Sequence, residues 1–320
     1  MSLVSAITNV ADAIRARTGK EETLTFPQMV TEIENMAGVT VNGKKYNGDV
    51  ELTNKDMYFN DLSVIPDNFQ YAIAVVFNNE IHALNCWSGA NRHYKWNGST
   101  WSQVSTLPYA LFRTDAVVYK NEIHILGGDN SSYEYNHYKW SGIWSLVSTL
   151  PYAFKNGRAV VFNNNIYLLG GDGNATYVYA WNGTSWSKQT NIPLAFTNGT
   201  AVVFKNMIHV LGGTNYPTMN YKFNGSTWTS DKYLPVSSYS SSAVAIDDDI
   251  HVFGGDSQLK PKTHIVYDGV NWVNYVDLPF DFYDGAAVAF NKEIHLMGGR
   301  RTGTQTKHSV GIRSYTAKFS

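Results

Sequence analysis

Short apolar runs separated by polar turns recur along most of the chain at a nearly constant interval. The interval is marked by six prolines, 42 to 44 residues apart: Pro66, Pro108, Pro151, Pro193, Pro235 and Pro279. Eight residues after each proline an alanine opens an apolar run such as AVVF, and seven residues later stands an isoleucine. Gly-Gly follows four residues after the isoleucine in five repeats, and Asn85-Cys86 takes its place in the first. This self-similarity indicates a repeat architecture.

Each repeat has the local chemistry of four short strands, A to D. Strand A is the apolar run, strand B ends at Gly-Gly, strand C precedes an Asn-Gly-type turn, and strand D begins at the aromatic residue after it, as in WNGSTW (96–101). Asn-Gly supplies the positive φ angles of a tight hairpin. Four antiparallel strands in ~42 residues are typical of a β-propeller blade.

The spacing of aromatic residues before the prolines predicts the number of blades. A tryptophan stands seven residues before each of the last five prolines, and Phe59 takes that position before Pro66. Residues 57–65 are therefore predicted to form a strand D that no strands A, B and C precede. The last repeat supplies strands A, B and C but no strand D. Pairing the two ends closes a ring of six blades and hides two sheet edges. We place the closing strand C around Phe319, with Tyr315 as the alternative register.

These repeats resemble the kelch family of propellers. The matching features are the apolar run, the Gly-Gly after IHxL, the aromatic residue in strand C and the tryptophan seven residues before proline, over residues 57–320. The predicted fold is all-β: a six-bladed kelch-like β-propeller whose last blade is closed by an N-terminal strand. Kelch-like propellers include actin and ubiquitin-ligase adaptors, a sialic-acid mutarotase and galactose oxidase, so the resemblance implies a fold and not one function.

The N-terminal segment has a different pattern. Apolar residues at helical spacing predict two helices within residues 1–38, a small α-helical module. The stretch VADAIRARTGKEETLTFPQMVTEIENM resembles a module of tail and minor structural proteins of phages and prophages of Gram-positive bacteria. The stretch VTVNGKKYNGDVELTNKDM (39–57) resembles joints of phage tail fibres. We therefore expect a helical docking or assembly module at 1–38 and a linker or β-hairpin joint at 39–56.

Composition excludes several functional classes. The 25 Lys and Arg residues balance 26 Asp and Glu residues without a polybasic run, which argues against nucleic-acid binding and attraction to membrane surfaces. The single cysteine, Cys86, permits no intrachain disulfide. The N-terminus lacks the pattern of a secretory signal, and no window approaches 18 uninterrupted apolar residues. We expect production in the bacterial cytoplasm without a signal peptide and assembly into a virion or phage-tail-like particle.

Candidate catalytic chemistry is sparse. Histidine recurs in strand B of five repeats, but Tyr167 replaces it in the third, so we interpret the position as packing and not as a metal ring. Aspartate follows Gly-Gly three times, either as a turn cap or as a carboxylate that helps to hold a sugar or Ca²⁺. The chain has no phosphate-binding loop, zinc-ligand spacing or convincing Ser/His/Asp arrangement. We expect no enzymatic activity, no catalytic residue, no cofactor and no metal site.

The two faces of the predicted disc differ. The A–B and C–D turns lie on one face and vary little, whereas the B–C and D–A connections lie on the other and contain the length variation, aromatic residues and arginines. Such a face suits a sugar or a protein partner. For Tyr109 the alternative is that it packs between blades. The candidate ligand-binding residues are Trp87, Arg92, Tyr109, Arg113, Arg158, Phe282, Tyr283, Arg300 and Arg301.

Together these features predict a non-enzymatic tail or tail-fibre protein of a phage or phage-like particle. Residues 1–38 would dock on other tail or baseplate proteins or form a homo-oligomer, and the propeller would bind a glycan or protein of the host surface. Two alternatives stay open. The first is a purely structural virion or tail component that binds another particle protein. The second is a kelch-type carbohydrate-active enzyme such as a sugar mutarotase.

Overall fold

The computed structural model describes residues 40–41, 44–45, 50–71, 73–85, 91–110, 112–129, 134–255, 261–299 and 306–319. The chain divides into two compact units, one of residues 57–312 and one that joins residues 1–56 with 313–320. All regular structure in the described ranges is β-strand. In those ranges no helix is long and apolar enough to cross a bilayer. The predicted helices of residues 1–38 lie outside the described residues.

Three strands precede the first complete blade in the chain. A short hairpin pairs β1 (Thr40–Val41) with β2 (Lys44–Lys45) inside the segment expected to be a linker or hairpin joint. The next strand, β3, spans Val50–Asp61 and so begins within that segment. Both β3 and the last strand of the chain, β26 (His308–Phe319), have 12 residues and cross the boundary between the two units.

Six four-stranded antiparallel sheets form the propeller, as predicted. Blade 1 contains β4 Ile73–Phe77, β5 Glu80–Asn85, β6 Arg92–Trp96 and β7 Trp101–Thr106; blade 2 contains β8 Asp115–Tyr119, β9 Glu122–Leu126, β10 Asn136–Trp140 and β11 Trp144–Thr149; blade 3 contains β12 Arg158–Phe162, β13 Asn165–Leu169, β14 Val178–Trp181 and β15 Trp186–Lys188. Blade 4 contains β16 Thr200–Phe204, β17 Met207–Leu211, β18 Asn220–Phe223 and β19 Trp228–Ser230; blade 5 contains β20 Ser242–Ile246, β21 Asp249–Phe253, β22 His264–Tyr267 and β23 Trp272–Asn274; blade 6 contains β24 Gly285–Phe290, β25 Glu293–Gly298, β26 and β3. Strand A of each blade lies against strand A of its neighbours, so these strands surround the central axis.

The last blade is closed by the N-terminal strand. The strand order of blade 6 is β24-β25-β26-β3, so β3 is its outer strand. The amide of Leu62 donates to the carbonyl of His308 (2.7 Å), and the Ser309 hydroxyl donates to the Asp61 carboxylate (2.7 Å). Phe59 packs edge-on against His264 of blade 5 (6.4 Å between ring centroids), as Trp101 packs against His308 one blade further on. This confirms that Phe59 occupies the tryptophan position of the repeat.

The register of the closing strand C was predicted wrongly. Val310 pairs with His295 and Gly311 pairs with Ile294, so the strand C position is centred on neither Phe319 nor Tyr315. Trp96 is the residue that pairs with the equivalent isoleucine in blade 1. At Gly311 a Cβ atom would lie 2.8 Å from the Phe59 ring, so Phe59 of the adjacent strand fills the space that an aromatic side chain takes elsewhere. The B–C connection of blade 6 therefore ends before His308 and is shorter than predicted.

The contact between neighbouring blades, called the seam below, depends on Gly-Gly. At Gly254, with φ of +61°, an added Cβ would lie 1.5 Å from the carbonyl oxygen of Phe282 in the next blade. The following amide, of Gly255, donates to that same carbonyl (3.0 Å). Gly170 and Gly171 make the equivalent contacts with Phe196. Only a residue without a side chain permits this approach.

Histidines fill the interior of the blades. In four blades the strand B histidine shares a hydrogen bond with a strand C histidine: His82–His93 (2.7 Å), His124–His137 (2.7 Å), His251–His264 (2.9 Å) and His295–His308 (2.8 Å). Blade 4 pairs His209 with Asn220 (3.4 Å), and blade 3 has Tyr167 and Val178 at these positions. All nine histidines are buried. No cluster of three or more potential metal ligands occurs in the described ranges.

Candidate functional site

The mouth of the central channel is lined by one left-handed residue from each blade. These residues stand five positions after the repeat proline, on the face of the D–A connections, with φ angles from 51° to 56°: Tyr71, Arg113, Asn156, Asn198, Ser240 and Asp284. They are called the mouth ring below. Left-handed backbone is uncommon outside glycine, asparagine and aspartate, and residues held in it cluster at functional sites.

Backbone hydrogen bonds hold the mouth ring together. In the described part of the chain, the main-chain amides of five mouth-ring residues donate to the carbonyl of the equivalent residue in the preceding blade, at 2.8 to 2.9 Å. The five are Asn156, Asn198, Ser240, Asp284 and Tyr71. The first of these bonds joins Asn156 to Arg113, and the last joins Tyr71 to Asp284. Because the main chain supplies these bonds, the side chains of the mouth ring can differ from blade to blade without loss of the ring geometry.

A second set of residues lies deeper along strand A, seven positions after each proline: Ile73, Asp115, Arg158, Thr200, Ser242 and Ala286. With the mouth ring they enclose a cavity of about 220 Å³. An outer cavity of about 310 Å³ adds Thr214, Tyr239 and Tyr283 to part of the mouth ring. The two cavities together are called the funnel. Its size falls within the range of small-ligand sites.

Asp115 places a carboxylate in the wall of the funnel. Its Oδ1 accepts the amide of Ala116 (2.9 Å), and its Oδ2 accepts the amide of Ala159 from the next blade (2.7 Å). Burial raises the pKa of Asp115, whereas the nearby Arg158 guanidinium and these two amides act in the opposite direction. The carboxyl group therefore links blades 2 and 3 and lies beside a cation.

Asp284 contributes a second carboxylate at the mouth. Burial raises its pKa, and a hydrogen bond from Ser240 and the positive charges of Arg158 and Arg113 lower it. The Arg113 guanidinium also forms an ion pair with Asp129 (3.1 Å) and lies over the Phe112 ring (5.0 Å to the centroid). The cations of the funnel thus lie close to carboxylates.

The residue after Gly-Gly contacts the mouth ring at a constant offset of 16 residues. The Arg113 guanidinium pairs with Asp129. The side-chain amide of Asn156 donates to the Asp172 carboxylate (2.7 Å), and the side-chain amide of Asn198 donates to the Thr214 hydroxyl (3.1 Å). Asp129 and Asp172 therefore contact side chains that line the mouth. The sequence predicts such aspartates as turn caps or as groups that hold a sugar or Ca²⁺.

Of the nine predicted site residues, the structure brings three together in the funnel: Arg113, Arg158 and Tyr283. Arg92, at the start of strand C in blade 1, is half exposed and pairs with Asp67 (3.3 Å), but does not line the funnel. Trp87, Arg300 and Arg301 lie outside the described residues.

Two of the predicted ligand-binding residues, Tyr109 and Phe282, are not on the ligand-accessible surface but in the seams. Tyr109 is 3% exposed, and its hydroxyl donates to the carbonyl of Gly127 (2.7 Å). Phe282 is 1% exposed, and its carbonyl receives the close approach of Gly254. Both aromatic rings are inaccessible to a ligand, because the neighbouring blade covers them.

Five members of the mouth ring, and Asp115 below them, are not among the residues that the sequence predicts for the site. The five are Tyr71, Asn156, Asn198, Ser240 and Asp284. A signal was present: the fifth and seventh positions after the proline differ in every blade or nearly so, whereas the eighth is always alanine. Variable positions in an otherwise constant repeat mark the surface that packing does not constrain.

Comparison with known proteins identifies the architecture. No protein-family model and no curated protein sequence matches the chain. Among solved structures, that of YjhT matches with a TM-score of 0.68 over 80% of this chain and 99% of YjhT, at 12% sequence identity. At that identity the likeness shows the fold alone. The chain is therefore a six-bladed β-propeller with the overall fold of YjhT and a polar funnel at the mouth of its channel.

Proposed function

We propose that this protein is a kelch-like, non-enzymatic binding component of a phage or phage-like tail, and that its funnel binds a glycan of the host surface. The observation that carries the proposal is the mouth ring. Six blades with the same framework present six largely different hydrogen-bonding side chains to one cavity. Most seam residues repeat because packing between blades constrains them, whereas the side chains of the mouth ring mostly differ.

The sequence of the N-terminal segment supports the assignment to a particle. Its resemblance to tail proteins and tail-fibre joints leads us to propose that residues 1–38 dock on other tail or baseplate proteins or assemble with other copies. Light scattering on the full-length chain and on a chain lacking residues 1–38 tests self-assembly. A larger mass for the full-length chain alone supports it, and two monomers would leave docking on a different particle protein as the proposed role.

The binding face is tested by two substitutions in blade 2 that each remove a cation from a left-handed residue. Arg113→Gly (φ 53°) alters the funnel, and Lys120→Gly (φ 47°) alters the opposite face. Glycine tolerates both conformations, so the fold should persist. Truncation of an interface hot spot costs about 2 kcal/mol or more, roughly a thirtyfold loss of affinity. We expect that loss on a host-glycan array for Arg113→Gly only.

The array also separates this proposal from the structural alternative. A propeller that only bound another particle protein would bind no host glycan in wild-type form, and Arg113→Gly would instead weaken particle assembly. Loss of glycan binding in Lys120→Gly with retention in Arg113→Gly would place the binding site on the other face.

A second candidate function is a sugar mutarotase, which one observation favours. Asp115 and Asp284 are carboxyl groups with raised pKa values beside Arg158 in one cavity, and such groups can donate and accept protons during opening of a sugar ring. Exchange between the two anomers of free sugars, followed by NMR, tests it. Acceleration by the wild type that disappears in Asp284→Asn would establish the enzyme, and an unchanged exchange rate would exclude it for the sugars tested.

A further inference from the structure

The charges in the funnel are already balanced by the protein itself. Four ionisable side chains line the inner cavity: Arg113, Arg158, Asp115 and Asp284. Arg113 forms an ion pair with Asp129 (3.1 Å), and Arg158 is close enough to both Asp115 and Asp284 to oppose the effect of burial on their carboxyl groups. An anionic ligand would have to compete with these carboxylates for the same guanidinium groups.

In the part of the chain that the structure describes, the side chains around the mouth ring, called the rim, add more negative than positive charge: Asp129, Glu134, Lys155 and Asp172. Lys155 lies 3.3 Å from both Asp129 and Glu134, and Asp172 accepts a hydrogen bond from Asn156. Counting the described funnel and rim side chains named here, three cations face five carboxylates. Like charges close to a site disfavour the charged form of anything that enters it. The described side chains around the funnel therefore oppose a carboxylate or phosphate ligand.

The remaining groups suit a hydroxyl-rich molecule. Asn156, Asn198 and Ser240 offer side chains that can each donate and accept hydrogen bonds, whereas carboxylates only accept and guanidinium groups only donate. A sugar hydroxyl can donate to a carboxylate and accept from an arginine or amide at the same time. The paired charges of the funnel thus match a neutral polyol better than an ion.

Aromatic side chains stand at the outer cavity. Tyr71, Tyr239 and Tyr283 line it and are each half-buried. The Tyr71 ring is supported edge-on by Phe112 (4.8 Å between centroids). Tyrosine combines an apolar face with a polar tip, which suits the apolar face and hydroxyl edge of a pyranose ring.

We propose that the ligand of the funnel is a neutral pyranose, such as a hexose or an N-acetylhexosamine unit, and not a uronic, sialic or phosphorylated sugar. This inference rests on the proposed function and specifies the chemical class of its ligand. The proposal predicts that the preference for neutral over anionic sugars arises from the carboxylates as much as from the arginines. The carboxylates repel anions and accept hydrogen bonds from sugar hydroxyls.

The test uses matched methyl glycosides, whose anomeric centres cannot open. Methyl galactoside is compared with methyl galacturonide, and methyl glucoside with methyl glucuronide, by saturation-transfer NMR and calorimetry on the full-length protein at pH 7. Each pair differs only in a hydroxymethyl or carboxylate group at C6. We expect at least one neutral glycoside to bind about tenfold or more tightly than its uronide, the ratio that corresponds to about 1.4 kcal/mol.

The variant Asp284→Asn tests the cause. Asparagine has nearly the same shape, tolerates φ of 54° and already occupies the mouth ring in two other blades. Removing one negative charge should reduce the preference for the neutral glycoside to about threefold or less. A preference that Asp284→Asn leaves unchanged would overturn the electrostatic argument.

The outcomes separate this inference from the proposed function. Tighter binding of the uronides would overturn the neutral-ligand inference and leave the glycan site in place. Absence of saturation transfer to all four glycosides, with the propeller folded, would count against the sugar site itself and so overturn both.

Discussion

The seams and the funnel use the same repeat in opposite ways. In the seams most blades repeat the same groups, so Gly254 approaches Phe282 just as Gly170 approaches Phe196, although Gly212 approaches Ser238 instead. In the funnel the backbone repeats, with φ near 54° in all six blades, but the side chains do not. Packing between neighbours constrains shape and therefore favours one residue type at each seam position. A cavity shared by six blades demands only that each backbone reach the axis, which leaves the chemistry of each position open.

Acid should act most strongly, because the histidines inside the blades and the carboxyl groups of the funnel respond to it in opposite directions. Burial lowers the pKa from 6.5 to about 4 in His82, His124 and His295, and to about 3 in His93, His137 and His308. The folded chain keeps these rings neutral where the unfolded chain binds protons. Their stabilising effect is complete above about pH 6.5 and is lost as the pH falls towards 4. At pH 5 one histidine with a pKa of about 4 lowers the folded-to-unfolded ratio by up to about 30-fold.

We therefore expect the melting temperature to be constant near neutral pH and to fall steeply below about pH 6. The funnel carboxyls act with the opposite sign: burial raises the pKa of Asp115 and Asp284, so their unfavourable effect is relieved as the pH falls. The double variant His93→Asn/His137→Asn copies the Asn220 of blade 4 and should remove up to two protons from the slope of unfolding free energy against pH. An unchanged slope would show that the pairs are not the source.

Opening the ring at blade 6 should have the next largest effect. A chain without residues 1–62 loses β3 and with it Phe59, whose ring packs edge-on against Phe253 and Phe280 at 6.1 Å. It also exposes the edge of β26. We expect a melting temperature lower by about 10 °C or more. A chain lacking only residues 1–38 keeps β3 and should melt like the full-length chain. Equal melting temperatures for the two truncated chains would contradict closure by β3.

A single methyl group in a seam should have a smaller but still severe effect. Gly254→Ala would place Cβ 1.5 Å from the Phe282 carbonyl oxygen, so the next blade must move. We expect a loss of about 4 kcal/mol or more in urea unfolding. Gly142→Ala is the matched control, because its φ is also positive (+112°) but nothing lies within 4 Å of the added Cβ. It should cost only the backbone strain, about 1 to 2 kcal/mol. Similar losses in both would show that blade contact is not the reason for Gly-Gly.

The mouth ring should be the most tolerant region. Asn198→Gly removes an amide that donates to Thr214 at the exposed rim and leaves a residue suited to φ of 53°. We expect its unfolding free energy to stay within about 0.5 kcal/mol of wild type, whereas Asn198→Ala should lose about 1 kcal/mol through its backbone conformation. A large loss for Asn198→Gly would mean that the side chain, and not the ring of backbone hydrogen bonds, holds the mouth.

Much of the propeller could be predicted from local patterns. The constant offsets from proline to alanine, isoleucine and Gly-Gly predicted the blades, and Phe59 in the tryptophan position predicted how the ring closes. Three of the residues predicted on the D–A face line the funnel: Arg113, Arg158 and Tyr283. The inferences about the blades and their closure succeeded because each depends on periodicity along the chain, which is a property of the sequence itself.

Contacts between distant segments were decided only by the tertiary structure. Gly311 stands where a strand C aromatic was expected, because Phe59, more than 200 residues away in the sequence, fills that space. Tyr109 and Phe282 are buried because a neighbouring blade covers them. The funnel exists only when all six blades close, which brings Asp115 and Asp284 near Arg158. The sequence by itself thus determined the blade, its number and its closure, whereas the ring determined which side chains share a cavity, since that depends on distances that no single repeat contains.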